Sequence, residues 1–167
     1  MAKVDFFQYI VEIKDENFGI YDPQDETPAK VSTDIKVPDK GWDAKVINLT
    51  GDSVFFSAVD HQLNLRDAEN HLEKSCDVLL CQFDRYLIFT EIKDKKSRWY
   101  GRAIEQLTNT IRLFRENHPD KHFVRKQAYI CNRQHLRANE SHQSRMQEFK
   151  DQTGFRLKTG TEIKITL

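Results

Sequence analysis

The chain has 167 residues, 38% of them hydrophobic and 31% charged, which suits one rather polar, soluble domain and falls short of two. Its apolar runs stop well before the ~20 residues that span a bilayer. The N-terminal MAKVDFFQYIVEIKDE carries acids inside its apolar run, unlike a signal peptide, so cytoplasmic residence with no membrane attachment is the expectation. Lys and Arg balance Asp and Glu at 26 each, but unevenly. The first 60 residues hold six lysines against twelve acids, and the remainder holds twenty cations against fourteen acids. A basic second part suits a phosphate-binding face.

Residues 4–13, VDFFQYIVEI, are rich in β-branched and aromatic side chains and read as a strand. Asn17-Phe18-Gly19 reads as a turn into a short strand ending at Tyr21. Residues 22–34, polar and acidic with two prolines, read as a loop, and Val37 to Trp42 continues the irregular stretch. Residues 44–49 and 53–59 read as a hairpin across Thr50-Gly51-Asp52. The pattern turns helical over 65–75, with apolar positions at 65, 68 and 72.

Two apolar runs follow, CDVLLCQ and YLIFTEI, separated by Phe83-Asp84-Arg85. They read as a β-hairpin with a short loop. A three-residue loop pairs Gln82 with Tyr86, and the same register sets Asp77 opposite Glu91. Directly opposed residues have Cβ atoms about 4.5–5.5 Å apart, so these two carboxylates repel unless a proton or a cation lies between them. Lys93, two residues beyond Glu91, falls on the same strand face.

The segment 97–115 is the clearest helix: Tyr100, Ala103, Ile104, Leu107, Ile111 and Phe114 form one apolar stripe, with Ser97 as N-cap and Asn117-His118-Pro119 as the stop. Residues 122–131 read as a strand, 141–152 as a polar helix ended by Gly154, and 155–158 and 162–166 as closing strands. Cys76, Cys81 and Cys131 have no C-x-x-C spacing and fall in expected strands, as buried small residues in a reducing compartment do. The six histidines (His61, His71, His118, His122, His135, His142) show no metal-ligand spacing and read as surface or strand-edge residues. Gly-rich phosphate loops and nucleophile elbows are missing too.

Glu-Ile-Lys occurs at 12–14, 91–93 and 162–164, so the tripeptide alone says little. Only the copy at Glu91 has an aspartate opposite it, a long amphipathic helix after it and a further strand beyond. That order resembles the PD-(D/E)XK nuclease superfamily over roughly residues 70 to 130. The resemblance implies an α/β restriction-endonuclease-like fold: a mixed central sheet flanked by helices, here with a strand-rich N-terminal extension. It divides the chain into 1–60, an extension or recognition subregion, and 61–167, the nuclease-like core, within one compact domain. It also implies Asp77, Glu91 and Lys93 as catalytic positions, with Asp77 and Glu91 holding Mg²⁺ or Mn²⁺. Gln106 matches a helix glutamine found near the centre in exonuclease and resolvase branches. The family's further acid on a preceding helix has candidates in Glu69 and Glu73, neither of which fits the spacing cleanly. Cys76 stands where many members have proline.

Residues 93–115 hold seven cations against two acids. Lys95, Lys96, Arg98 and Arg102 are the expected phosphodiester contacts, with Trp99 as a stacking partner for a base. The function expected is a metal-dependent nuclease acting on DNA, in a fold many of whose members work as homodimers that cut both strands. The alternative is a catalytically inactive binding protein on the same fold, an immunity or regulatory partner in a bacterial defence or competition system, with its acidic N-terminal third facing a protein partner.

Overall fold

The computed structural model describes residues 3–33, 42–134 and 140–166, with the side chains of Glu140 and Ser141 outside that description. The expected irregular stretch from Val37 falls mostly outside it, as does His135. In chain order the elements are β1 (Val11–Ile13), β2 (Asn17–Tyr21), β3 (Lys30–Ser32), β4 (Ala44–Asn48), β5 (Val54–Ala58), β6 (Val78–Gln82), β7 (Tyr86–Lys93), α1 (Tyr100–Asn117), β8 (Arg125–Asn132), α2 (Glu140–Thr153), β9 (Arg156–Thr159) and β10 (Glu162–Ile165).

They build an α/β fold in three layers. A six-stranded mixed sheet runs β1-β5-β6-β7-β8-β9, and a four-stranded mixed sheet runs β10-β4-β2-β3. Strands β5, β6 and β7 pair antiparallel, whereas β7-β8 and β8-β9 are parallel. Each parallel step is bridged by a helix, as parallel pairing requires a long crossover. Both faces of the large sheet are covered, so β6 is buried at every position and β7 at all but Lys93. Strand alternation sorts the side chains. Leu79, Cys81, Leu87 and Phe89 join the helix-side core, and Val78, Leu80, Tyr86, Ile88 and Ile92 join the core against the small sheet. Both helices contribute to the first cluster and neither to the second. The sheet is therefore flanked by helices on one face only, with the other closed by β2, β4 and β10.

Helix α1 forms because its stripe, Tyr100, Ala103, Leu107, Ile111 and Phe114, is buried against this sheet. Its start is plainer than expected. Trp99, not Ser97, is the N-cap, and it makes no side-chain cap bond. At the other end the His118 N–H reaches Phe114 O at 2.8 Å. Helix α2 ends at Gly154, whose φ of +76° suits glycine.

Besides β3, which lies inside the expected loop 22–34, and β2, which begins at Asn17 in place of the expected turn, three expected elements differ. Residues 4–10 are not strand. Asn117 Oδ1 accepts from Val4 N (2.7 Å) and His118 Nε2 accepts from Phe6 N (3.0 Å), so donors that a ladder would use are taken by the end of α1. Phe6 is fully buried, its ring centroid 5.3 Å from that of Phe114. His118 is thus packed inside rather than lying at a strand edge.

Strands β4 and β5 exist but do not form a hairpin. Asn48 bonds Asp52 O and accepts from the Thr50 N–H and hydroxyl, folding the loop so that the chain crosses from one sheet to the other. The sheets do not divide at residue 60 either: β1 and β5 belong to the large sheet, and β10 to the small one.

The third difference is 65–75, which holds no helix. Asp67 Oδ1 accepts from Glu69 N and His71 N, and Asn70 has a φ of +69°. Local side-chain bonds of this kind compete with a helix, and Leu72 is left 67% exposed.

Gly19 in β2 lies under Trp42. A Cβ there would come within 2.3 Å of the indole ring, and a ring fused this close to its own backbone has little room to yield. Gly19→Ala is expected to lower unfolding free energy by about 1–3 kcal/mol, read as a reduced urea midpoint at unchanged m-value. An unchanged midpoint would remove this packing claim.

Candidate active site at the Asp77–Glu91 hairpin

The hairpin has the register its loop length dictates. Gln82 pairs with Tyr86 and Val78 with Thr90, and Asp84 takes the left-handed position in the three-residue loop with φ +67°. One step beyond the last pair, Asp77 N donates to Thr90 O at 3.1 Å. Asp77 Oδ2 accepts from Ile92 N at 2.7 Å. Asp77 is therefore turned out of the ladder at the end of β6, its carboxylate against the Ile92 N–H and next to Glu91, whereas Glu91 and Lys93 share the helix side of the sheet. The copies at Glu12 and Glu162 are ordinary exposed positions: Glu12 accepts from Ser53, and Glu162 pairs with Lys164 at 3.8 Å.

Both carboxyls are almost sealed from water, Asp77 at 8% exposure and Glu91 at 2%. Burial pushes Asp77 up to about 8, helped by the negative charges of Asp22 and Asp60 and opposed by the Ile92 N–H. Burial also drives Glu91 well above the usual carboxylate range. The Asp77 charge adds to that shift, and Lys93 only partly offsets it. Two buried acids in this state retain a proton between them at neutral pH. Apart from the carboxyl of Asp77, Glu91 Oε2 is a buried oxygen with no hydrogen-bond partner.

Lys93, whose side chain is 13% exposed, sits with Nζ 3.2 Å from Glu91 Oε1 and 2.6 Å from Gln106 Oε1. Gln106 is anchored in turn by Nε2 donating to Ser75 O at 3.3 Å. Thr110, one turn further along α1, accepts from Cys76 N at 2.7 Å and donates to Gln106 O at 2.7 Å. Helix and hairpin are thus tied together at the residue before Asp77. The fixed distance from Lys93 to Gln106 follows from that joint.

The remaining expected residues divide. Arg102 lines a cleft of about 560 Å³ with Lys93, Gln106, Asp60 and Ser75. It makes no ion pair among the described residues. Lys95, Lys96 and Arg98 are exposed on the segment between β7 and α1. Trp99 does not suit base stacking. It is 4% exposed and packs edge-on to Tyr100 and His142, because the turn into α1 directs it inward. His142 stacks flat on Tyr100 at 3.9 Å, a packed position rather than a bare surface one. Glu73 is committed to Arg112 and Asn109, and Glu69 is exposed, so neither joins the carboxylate pair.

Two acids near the pair went unnoticed in the sequence. Asp60 follows β5, its N–H bonded to Cys76 O at 3.1 Å, and its carboxyl is raised, mainly by burial. Asp22 follows β2 beside a clamp in which Arg133 binds Asp43 and Asp22 O. Asp60 had a readable signal, an acid closing an apolar strand next to Cys76-Asp77. Asp22 belongs to the other sheet and had none.

No group of three or more His, Cys, Asp and Glu poised around a metal position occurs among the described residues. Mg²⁺ does not need one, since it commonly binds through one or two carboxylates and keeps several waters. Glu91 Oε2, beside the Asp77 carboxyl, has the donor chemistry of such a site. No helix of the described residues is long and apolar enough to cross a membrane. No family model matches the chain, and neither characterised proteins nor solved structures give a match.

Proposed function

We propose that the chain is a metal-dependent phosphodiesterase of restriction-endonuclease-like architecture that hydrolyses nucleic acid, with DNA as the preferred substrate. The observation that carries this reading is the convergence of Asp77, Glu91 and Lys93 at the end of the β6–β7 hairpin, beside an open cleft, with no arginine paired to the carboxylates among the described residues. A pair kept only for stability would be better replaced by apolar side chains.

Asp77 and Glu91 would hold a divalent cation in place of the proton they retain. Such a cation acidifies water and offsets charge on the phosphoryl group. The chain's own residues supply the rest. Lys93 spends two of its three N–H donors on Glu91 and Gln106, leaving one to aim at the attacking water or a phosphate oxygen. Gln106 has its carbonyl and one N–H engaged, so it acts as a positioning residue for Lys93. Arg102 at the cleft, and Lys95, Lys96 and Arg98 beyond it, meet the phosphodiester backbone.

The test is incubation of the purified chain with single- and double-stranded DNA and with RNA, in Mg²⁺, in Mn²⁺ and in EDTA. Cleavage is expected with either metal and not in EDTA. Intact substrates under every condition would overturn the reading and favour the inactive binding protein.

A further inference from the structure

The end of the large sheet away from the candidate active site is lined by cations. β7 and β8 run parallel from the Tyr86–Arg125 pair to the Lys93–Asn132 pair. At ~3.3 Å per residue the two ends lie about 23 Å apart. At the Arg125 end lie two clefts that share Lys126. One, of about 400 Å³, is floored by Leu87, Phe114 and Phe155 and rimmed by Arg115, Lys121 and Lys126. The other, of about 470 Å³, is lined by Arg125, Lys126, Lys150 and Arg156. Neither lining contains an acid.

Five of these six cations are set in place without carboxylates. Among the described residues, Arg115, Lys121, Lys126, Lys150 and Arg156 form no ion pair. Three of them lie over aromatic faces instead. Arg115 and Lys126 lie 5.9 and 5.8 Å from the Phe155 ring, and Lys121 lies 5.9 and 5.8 Å from Phe7 and Phe83. Arg125 lies over Tyr86 and donates to its hydroxyl at 2.8 Å. A Cβ at Gly154 would meet Arg115 Nη2 at 3.3 Å and Lys126 Nζ at 3.5 Å, so two like charges converge over a backbone with no side chain. Arg115 also caps α2 through Thr153 O. That and the Arg125–Tyr86 bond account for two cations and leave Lys121, Lys126, Lys150 and Arg156 with no polar bond to the fold among the described residues.

We infer that this face is a second polyanion site, and that its partner is the phosphate backbone of nucleic acid. Cations lining clefts focus potential inward, and a phosphate ridge enters a cleft where a flat lipid surface does not. The choice of nucleic acid also rests on the phosphodiesterase reading. The face holds a substrate that extends well past the reacting bond, adding affinity that does not depend on sequence.

The experiment is fluorescence anisotropy on a labelled duplex of about 20 base pairs, in EDTA so that binding is separated from cleavage, over roughly 50–200 mM salt. The variant is K121E/K150E/R156E, whose three positions are exposed. Its affinity is expected to fall at least ~10-fold, and its salt slope by about 2–3, since each lost phosphate contact removes ~0.9. Lys93→Ala should leave this loss as large. Equal affinity for wild type and variant in a folded protein would overturn the inference. So would binding of phosphatidylserine vesicles with no binding of the duplex. Duplex binding that depends on these cations in a protein that cleaves nothing would sink the phosphodiesterase reading alone. Cleavage with binding indifferent to them would sink this site alone.

Discussion

Glu91→Gln is expected to lower metal-dependent cleavage by at least ~10²–10³-fold, the scale seen when one group acting on transition-state charge is lost, while the folded protein becomes more stable at pH 8. The two effects run in opposite directions for a physical reason. The amide keeps the shape of Glu91 in a site 2% exposed but carries no charge, so the cost of burying an ionisable group against Asp77 disappears. A purely structural Glu91 would leave cleavage within a few-fold of wild type. Lys93→Ala should match the loss of activity without the gain in stability, because it strips Glu91 Oε1 of its ammonium partner at 3.2 Å and Gln106 Oε1 of a donor at 2.6 Å. Activity within a few-fold of wild type in both variants would remove the hairpin from the mechanism.

The second large effect is on the pH dependence of stability. The Asp77 carboxyl is held up at about 8 by burial and neighbouring negative charge, whereas an unfolded aspartate titrates near 3.9. Between those values the folded chain binds the extra proton, so stability falls as pH rises, by up to ~1.4 kcal/mol per unit for one group. The contribution is whole below about pH 4 and gone above about pH 8. Without metal, urea unfolding should therefore show a drop of a few kcal/mol across this window, and Asp77→Asn should make it shallower, leaving the share of the raised Glu91 carboxyl. Added Mg²⁺ should restore stability at pH 8, by about 2.7 kcal/mol at a hundred times its Kd, in wild type and not in Asp77→Asn. A pH-independent stability in the wild type would show that Asp77 does not retain a proton in the fold.

The hairpin was legible in the sequence because its determinants are local. A three-residue loop and the two-residue period of a strand suffice to bring Asp77 to Glu91 at the end of the hairpin and to put Lys93 on the face of Glu91, but not to show that Asp77 leaves the ladder there. The stripe of α1 was legible for the same reason, and it carried Gln106 to within 2.6 Å of Lys93. Trp99 was misread because position 99 lies at the helix start, where periodicity does not say which way a ring turns. The remaining differences are nonlocal. Whether β4 pairs with β5 or with β2 and β10 depends on partners more than a hundred residues away in the case of β10. The helical spacing of Leu65, Ala68 and Leu72 was overruled by one side chain, Asp67, bonding its own neighbours. Asp60 and Asp22 reach the field of Asp77 only once the two sheets are stacked.

A structure of the chain crystallised near pH 8.5 and soaked in Mn²⁺ tests the central claim most directly. The account predicts an anomalous peak between Asp77 and Glu91, with one oxygen of each within about 2.0–2.3 Å, Glu91 Oε2 engaged, and Lys93 still held by Gln106. No peak at saturating Mn²⁺, with Asp77 and Glu91 still facing each other across a shared proton, would contradict it.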